Sequence, residues 1–260
     1  MSVGKNLFIV TGASRGFGQA IAEVLSDTIL KKSADDSKVI LLARNYEGLK
    51  HTEAIIRKKI KLNITIDNLC CDLSKPEEVE AIIPKMLVSP VISFDNIYFF
   101  NNAGCIGDVS KSLIDYNNYP EIQNYFNTNV VSAILIISKV CNYYYNVKKY
   151  VIQISSLAAI KPLRYSGLYC CAKASMDMFM KSLNFDIPCI RTLNYAPGPM
   201  DTDMAKELLC NSGDNETKKI FENLYNDKKI IDPRDSAKKL ITILEQDKFL
   251  SGSHIDFYEI

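Results

Sequence analysis

Several features that would indicate a metal protein, a membrane protein or a nucleic-acid-binding protein are missing from this 260-residue chain. It has no tryptophan and only two histidines, and its net charge of +1 leaves no basic excess for nucleic acid or a membrane surface. Its longest apolar run, around residues 133–137, is far shorter than the roughly 18 residues that cross a bilayer. We therefore predict a protein with no nucleic-acid partner and no membrane partner.

The eight cysteines do not form a metal-binding pattern. No two of them have the Cys-x-x-Cys spacing of zinc sites, and histidine is too scarce to complete such a site. We predict no metal, and we expect buried, reduced thiols in a cytoplasmic protein. Residues 1–5 are consistent with a cytoplasmic location, because this charged segment is too short to be the start of a secretion signal.

Apolar runs that resemble buried strands alternate with helical patterns along the chain. The strands are predicted at 7–10, 39–43, 64–71, 95–100, 150–155, 190–195 and 254–258. Helical patterns lie between them, notably at 46–60, 124–145, 166–184 and 232–245. This alternation predicts an α/β protein, with residues 1–260 forming a single-domain, Rossmann-type, doubly wound parallel sheet that carries helices on both faces.

A glycine-rich turn follows the first predicted strand. Its glycines are spaced Gly-x-x-x-Gly-x-Gly, and a helical pattern begins directly after them. Glycines let the backbone approach a pyrophosphate, whose charge is stabilised at the N-terminus of the next helix. An ordinary loop is the alternative, but the position after a buried strand predicts a dinucleotide site. That site comprises Gly12, Ala13, Ser14, Arg15, Gly16, Phe17 and Gly18.

The ends of the next two predicted strands indicate which dinucleotide binds. Arg44 and Asn45 stand where an acidic residue would bind the ribose 2′-hydroxyl of NAD, whereas arginine there accommodates a 2′-phosphate. Arg15 adds a second cation, so we predict NADP(H), with two ordinary surface arginines as the alternative. Asp72 and Leu73 end the third strand, where they are placed to touch the adenine.

A tyrosine and a lysine four residues apart form the candidate catalytic pair. Tyr169 and Lys173 share one face of the helix predicted over 166–184. An adjacent ammonium favours the phenolate, so we expect a lowered pKa that suits Tyr169 to proton transfer near neutral pH. Ser156, at a strand end, can hydrogen-bond the same substrate oxygen. Since the chain has 14 tyrosines, the spacing alone is weak, and an ordinary packing pair is the alternative.

Together these motifs resemble the short-chain dehydrogenase/reductase family, and the resemblance covers essentially the whole chain. Beyond the residues above it rests on Asn-Asn-Ala-Gly at 101–104, on Asn129 and on Pro-Gly at 197–198. Each motif is modest alone, but their joint order and spacing are specific. The family implies hydride transfer between a nicotinamide and a carbonyl or an alcohol.

The resemblance implies a role for single residues. Tyr169 would donate the proton, Lys173 would hold the nicotinamide ribose, and Ser156 would polarise the carbonyl. Asn129, predicted inside the apolar face of the helix 124–145, would support a water relay to Lys173. Further cofactor contacts implied by the resemblance are Asn102, Met200, Asp201, Thr202, Asp203, Met204 and Ala205.

Longer segments resemble the pterin-reducing branch of this family. They lie at 11–18, 107–111, 193–199, 201–204 and 251–258, and most of the wider family lacks the last of them. The branch implies reduction of the side-chain carbonyls of sepiapterin and 6-pyruvoyl-tetrahydropterin, as in tetrahydrobiopterin biosynthesis, with the pterin anchored by Asp256. A carboxylate suits the ring N–H and exocyclic amine that a pterin presents side by side. The implied substrate contacts are Ser156, Leu157, Tyr169, Gly198 and Asp256.

One position departs from that branch. Its members usually carry a tryptophan where this chain has Ser166, and Tyr165 is the neighbouring aromatic that can stack on the pterin instead. The polar segment 200–229 is predicted to be a flexible substrate lid. The family also implies a homodimer packed through the helices 124–145 and 166–184.

Two other functions stay open at this point. A short-chain reductase of other small ketones or diketones would have the same catalytic set but would not need Asp256. A non-catalytic NADP-binding sensor would keep the dinucleotide site but would have no need of Asn129, Ser156, Tyr169 and Lys173 together.

Overall fold

The computed structural model describes residues 4–87 and 93–259; residues 1–3, on which part of the N-terminal prediction depends, lie outside it. Its strands are β1 (Asn6–Thr11), β2 (Lys38–Ala43), β3 (Thr65–Cys70), β4 (Asn96–Asn101), β5 (Lys148–Ile154), β6 (Ile190–Ala196) and β7 (His254–Asp256). They form one parallel sheet in the order β3-β2-β1-β4-β5-β6-β7. The strand order reverses between β1 and β4, so the ligand crevice of such a sheet is expected at their carboxyl ends.

Helices cover both faces of the sheet. They are α1 (Gly16–Asp27), α2 (Tyr46–Lys59), α3 (Pro76–Met86), α4 (Tyr119–Phe126), α5 (Ser132–Tyr143), α6 (Gly167–Asp186), α7 (Asp203–Asn211), α8 (Asn215–Asn226) and α9 (Pro233–Gln246). One apolar core packs α1, α2 and α9 against the sheet, and a second packs α3, α5 and α6 against its other face. Because the sheet is covered on both sides, its central strands are continuous apolar runs, as the sequence indicated.

The helix predicted over 124–145 is interrupted. α4 ends at Phe126, a π-helical turn occupies Asn127–Val131, and α5 begins at Ser132. The turn forms because the Ser132 amide donates to the Asn127 carbonyl, five residues back, which shifts the helical register. Asn129 therefore lies in this turn rather than inside the apolar face of one regular helix.

The segment 200–229 is not the irregular stretch that its polar composition predicts. It contains α7 and α8. The Asp214 carboxylate caps the N-terminus of α8 by accepting a hydrogen bond from the Thr217 amide at 3.0 Å. The role of this segment as a substrate lid stays a prediction, and such a lid would consist of these two helices. The last predicted strand is also shorter than expected, since a single 3-10 turn replaces it from Phe257 onwards.

The prediction that the thiols are buried is wrong for most of them. All eight cysteines are free, but only Cys71 and Cys141 are buried, and the other six are partly or fully exposed. Within residues 4–87 and 93–259, no helix has the length and apolarity to cross a bilayer. No cluster of three or more potential metal ligands occurs in the same ranges.

Candidate active site

The predicted catalytic residues meet where β5 ends and α6 begins. Ser156 lies two residues beyond the end of β5, and its hydroxyl lies close to the Tyr169 phenol. Tyr169 and Lys173 lie on the first turns of α6, and each is only 8% exposed. The Lys173 ammonium lies 5.5 Å from the centroid of the Tyr169 ring. The structure thus brings together the three side chains that the sequence selected.

The pKa of Tyr169 moves in the direction opposite to the one expected. Burial raises it to about 12, and the nearby Ser156 hydroxyl offsets only part of that effect. Lys173 does not favour the phenolate, because its Nζ donates to the Ile154 carbonyl at 2.6 Å instead of contacting the phenol oxygen. Tyr169 is consequently protonated at neutral pH, which is the form that can donate a proton.

Lys173 is held in a buried polar environment. Burial lowers its pKa to about 8, although the nearby charge of Asp177 opposes that shift. Asp177 lies one helical turn further along α6 and is itself 5% exposed. Its carboxylate accepts from the Ser155 hydroxyl and pairs with His254. Sequence reasoning missed Ser155, Asp177 and His254, although Asp177 continues the four-residue spacing of Tyr169 and Lys173.

Asn129 organises the loop that follows β4. Its Oδ1 accepts from the Cys105 amide at 2.9 Å, and its Nδ2 donates to the Tyr125 carbonyl at 3.0 Å. The Cys105 thiol lies close enough to Tyr169 and Lys173 to act on both electrostatically. Asn129 is therefore linked to the catalytic pair through Cys105, and a water relay stays a prediction.

The glycine turn has the geometry of a phosphate-binding site. Gly12 and Gly16 have φ values of +68° and +57°, which other residues adopt only at a cost. A Cβ on Gly18 would overlap the Gly12 carbonyl oxygen and lie 2.6 Å from Asn102 Nδ2. α1 begins at Gly16 without a side-chain cap, so its first amides keep their hydrogen-bonding capacity for an anion. These features fit a bound dinucleotide.

Two polar side chains hold this turn in place: Thr11, the last residue of β1, and Asn102, which follows β4. Asn102 Nδ2 donates to the Thr11 carbonyl at 2.9 Å, while Thr11 Oγ1 accepts from the amides of Asn102 and Ala103 at 3.0 and 2.9 Å. Asn102, predicted as a cofactor contact, is thus first of all a support for the turn. Thr11 was missed by the sequence analysis because a threonine at a strand end has no distinctive pattern.

The two predicted cofactor arginines differ in their surroundings. Arg15 forms an ion pair with Asp203 at the start of α7. Arg44 is exposed and makes no ion pair within residues 4–87 and 93–259. Asn45 caps α2 by accepting from the Gly48 amide at 3.1 Å. Arg44 is therefore the cation left for a phosphate at the end of β2.

The predicted adenine contacts follow β3. Although burial opposes the shift, hydrogen bonds from Ser74 and the charge of Arg44 lower the pKa of Asp72. Asp72 Oδ1 accepts from the Ser74 amide and hydroxyl at 3.0 and 2.9 Å, so its carboxylate is fixed and ionised. Leu73 is buried, and its carbonyl accepts from Ser132. Asp72 and Arg44 thus lie at one edge of the sheet.

The segment that begins at Met200 lies against the glycine turn. Met200 pairs with Ile231 in an isolated bridge, and a Cβ on Gly16 would lie 3.7 Å from Thr202 Cγ2. Of the other predicted contacts, Asp201 accepts from the Tyr225 hydroxyl at 3.0 Å, Met204 is partly buried and Ala205 is buried. The segment 200–205 therefore lies beside the predicted dinucleotide site.

The predicted substrate contacts beyond Ser156 and Tyr169 lie at or after the carboxyl ends of β5, β6 and β7. Leu157 is exposed in the turn after Ser156, and Gly198 follows β6 with a φ of +76°. Asp256 ends β7 opposite Ala196, and its Oδ1 accepts from the Tyr258 amide at 2.9 Å. The Tyr165 ring packs against Gly213, between α7 and α8.

Comparison with known proteins shows relatives over nearly the whole chain. Residues 6–212 match the short chain dehydrogenase family. The sepiapterin reductase of Bos taurus is 33% identical, with 99% of this chain and 96% of the relative covered. That of Rattus norvegicus is 34% identical, with 97% and 96% covered. The benzil reductase ((S)-benzoin forming) of Bacillus subtilis (strain 168) is 28% identical, with 92% and 93% covered.

Solved structures share the architecture. The crystal structure of the KRED1-Pglu enzyme has a TM-score of 0.79 and 25% identity, covering 96% of this chain and all of that one. A polyketide ketoreductase of actinorhodin synthesis, solved with NADPH, has a TM-score of 0.77 at 18% identity, covering 97% and 95%. The predicted doubly wound parallel sheet with helices on both faces is confirmed.

Proposed function

Because this chain belongs to the short-chain dehydrogenase/reductase family, we propose that it is an NADPH-dependent reductase of the side-chain carbonyls of pterins. The observation that carries the proposal is that Ser156 and Tyr169 lie together beyond the end of β5, with Asp256 at the end of β7 in the same sheet. The sepiapterin reductase of Bos taurus matches 99% of this chain, so the match includes the catalytic residues and extends into the C-terminal segment. Sepiapterin and 6-pyruvoyl-tetrahydropterin are the proposed substrates, as in tetrahydrobiopterin biosynthesis.

Each residue of the site has a separate proposed role in carbonyl reduction. NADPH, when bound, supplies the hydride. Ser156 donates a hydrogen bond to the carbonyl oxygen, and Tyr169, protonated because its pKa is about 12, delivers the proton to that oxygen. Lys173 holds the nicotinamide ribose, and its positive charge stabilises negative charge that develops on the carbonyl oxygen. Asn129 and Cys105 shape the loop on the other side of the pair.

Asp256 gives the proposed substrate specificity. A carboxylate accepts two parallel hydrogen bonds from a ring N–H and an adjacent amine, and pterins present that donor pair whereas simple diketones do not. The turn formed with Tyr258 occupies only Oδ1 of Asp256, so the other oxygen keeps its capacity to accept. The carboxylate is partly exposed, which lets a ligand reach it.

Replacing Asp256 with asparagine tests the pterin assignment. We expect kcat/KM for sepiapterin to fall by about 10²-fold, because one donor of the pterin then faces an amide N–H instead of a carboxylate oxygen. Turnover of a small diketone should change by less than about threefold, since no donor pair is involved. Initial rates of NADPH absorbance loss measure both reactions.

A matched control lies three residues away. Glu259→Gln alters an exposed acid of the same segment but keeps an acceptor for the Asp256 amide, so sepiapterin kinetics should stay unchanged. An equal loss for sepiapterin and diketone in the Asp256 variant would contradict the pterin assignment. A wild-type protein that reduces only the diketone would favour a reductase of other small ketones.

Arg44→Ala tests the preference for NADPH. We expect KM for NADPH to rise by about tenfold or more, because the 2′-phosphate loses its charge partner, while KM for NADH stays constant. Arg57→Ala is the control, since Arg57 lies on α2 and pairs with Glu53 at 2.6 Å. An equal rise in KM for NADPH and for NADH would contradict this preference and would indicate that Arg44 stabilises the strand end instead.

The proposed enzyme is a homodimer. Apolar side chains on α6 point into solvent seven residues apart, with Met178 60% and Phe185 86% exposed, and Val131 of the π-helical turn is also exposed. Burying such a stripe against a second copy is the simplest way to remove it from water. Sedimentation equilibrium is expected to give the mass of two chains, and Phe185→Glu that of one. The cytoplasmic location stays a prediction.

A further inference from the structure

A buried acid–histidine pair joins the catalytic helix to the last strand. Asp177 Oδ2 lies 2.6 Å from His254 Nδ1, and the two side chains are only 7% and 12% exposed. Asp177 Oδ1 accepts from the Ser155 hydroxyl at 2.6 Å. Nothing in the proposed proton transfer uses this pair, yet burying a carboxylate is costly unless its partners are well placed.

The pair connects three pieces of the proposed site. Tyr169, Lys173 and Asp177 follow one another at four-residue intervals, so they share the buried face of α6. Ser155 directly precedes the catalytic Ser156 at the end of β5. His254 is the first residue of β7 and lies two residues before Asp256. One carboxylate thus contacts the elements that carry the proton donor, the catalytic serine and the proposed pterin anchor.

β7 needs such a tether. It is a three-residue strand at the edge of the sheet and pairs only with β6. Ile255 packs against the core on the α1 and α9 side, so His254 and Asp256, its neighbours along the strand, face the α6 side. A contact that holds His254 therefore also determines where the Asp256 carboxylate stands on that side of the sheet.

We propose that the Asp177–His254 pair is a positioning device that fixes β7 against α6 and so sets the separation between the Asp256 carboxylate and the Tyr169 phenol. The pair acts on substrate placement and makes no contact with the reacting atoms. This inference rests on the proposed pterin function. His254 is the residue to change, because Asp177 also acts on the charge of Lys173 and its loss would combine two effects.

His254→Leu removes the donor at nearly constant volume, whereas His254→Asn keeps an N–H at the position of Nδ1. With the full-length protein we expect KM for sepiapterin to rise by about five- to tenfold in His254→Leu, with kcat within about twofold of the wild type. His254→Asn should restore KM to near the wild-type value. The dissociation constant of NADPH, measured by its fluorescence, should be the same in all three proteins.

A second measurement needs no substrate. Amide hydrogen exchange in residues 252–259 should be about tenfold faster in His254→Leu than in the wild type or in His254→Asn, while exchange in α6 stays slow. If His254→Leu does not fold, His254→Gln replaces it, because its amide lies one bond too far out to donate to Asp177 without moving β7.

The outcomes separate the two proposals. An unchanged KM and unchanged exchange in a folded variant that lacks the donor would overturn the positioning role, as would equal losses in kcat, KM and NADPH binding. A wild-type protein that does not reduce sepiapterin would overturn the pterin function and the role of the pair in pterin placement. Faster exchange in residues 252–259 would then still identify the pair as the tether of β7.

Discussion

Replacing Tyr169 with phenylalanine is expected to lower kcat for carbonyl reduction by about 10³-fold, while the dissociation constant of NADPH stays within about threefold of the wild-type value. In the proposed mechanism the phenol donates the proton, and it is already protonated at neutral pH because burial raises its pKa to about 12. Phenylalanine keeps the buried ring but offers no proton. Single-turnover absorbance measurements with saturating NADPH separate this chemical step from cofactor binding.

The control for Tyr169→Phe is a second buried tyrosine remote from the site. Tyr150 lies near the start of β5, where its hydroxyl donates to Asp247 at 2.8 Å, so Tyr150→Phe should affect unfolding and leave kcat unchanged. Full activity in Tyr169→Phe would refute the proposed proton transfer. A wild-type protein that binds NADPH tightly but reduces no carbonyl compound would favour the non-catalytic sensor.

Replacing Gly18 with alanine is expected to weaken NADPH binding by about 10²-fold and to lower the free energy of unfolding by about 2 kcal/mol. The new Cβ would overlap the Gly12 carbonyl oxygen and crowd Asn102 Nδ2 at 2.6 Å. The glycine turn must move to relieve this overlap, and the turn aligns the α1 amides that are proposed to bind the phosphate. Fluorescence titration with NADPH and urea unfolding measure the two losses.

Gly16→Ala is the informative comparison because it changes the same turn without a clash. Its Cβ would meet nothing closer than Thr202 Cγ2 at 3.7 Å, so its cost is the left-handed backbone alone, about 1 kcal/mol. Gly18→Ala should therefore be the more damaging substitution, although alanine favours helices and Gly18 lies inside α1. Equal effects of the two substitutions would contradict the close packing of Gly18 on Gly12.

The parts of the fold that were predictable are those with local signals. β1 and β4 are buried on both faces and therefore appear as apolar runs, and the glycine turn marks the start of α1. α8 was missed because none of its residues is fully buried, and the polar composition of 200–229 obscured the apolar face formed by Phe221, Leu224 and Tyr225. The π-helical turn around Asn129 was missed because a shift in hydrogen-bond register changes no residue type.

Within the candidate site, too, residues with a local sequence signal were predictable and contacts between distant residues were not. Tyr169 and Lys173 were found from a four-residue spacing that brings two helical side chains to one face, and Ser156 from its place after a strand, both supported by the family resemblance. The direction of the Tyr169 pKa was wrong because it depends on burial, which follows from the whole fold. The Asp177–His254 contact was missed because 77 residues separate its partners and either residue alone is unremarkable.

The ion pair between Arg15 and Asp203 would compete with a bound phosphate for the Arg15 guanidinium. It joins the glycine turn to the first residue of α7 across 188 positions of sequence, and both side chains are largely exposed. A phosphate that draws the Arg15 guanidinium to itself leaves the Asp203 carboxylate without its counter-charge. In the proposed complex with NADPH, binding at the glycine turn would therefore loosen the contact that holds the start of α7.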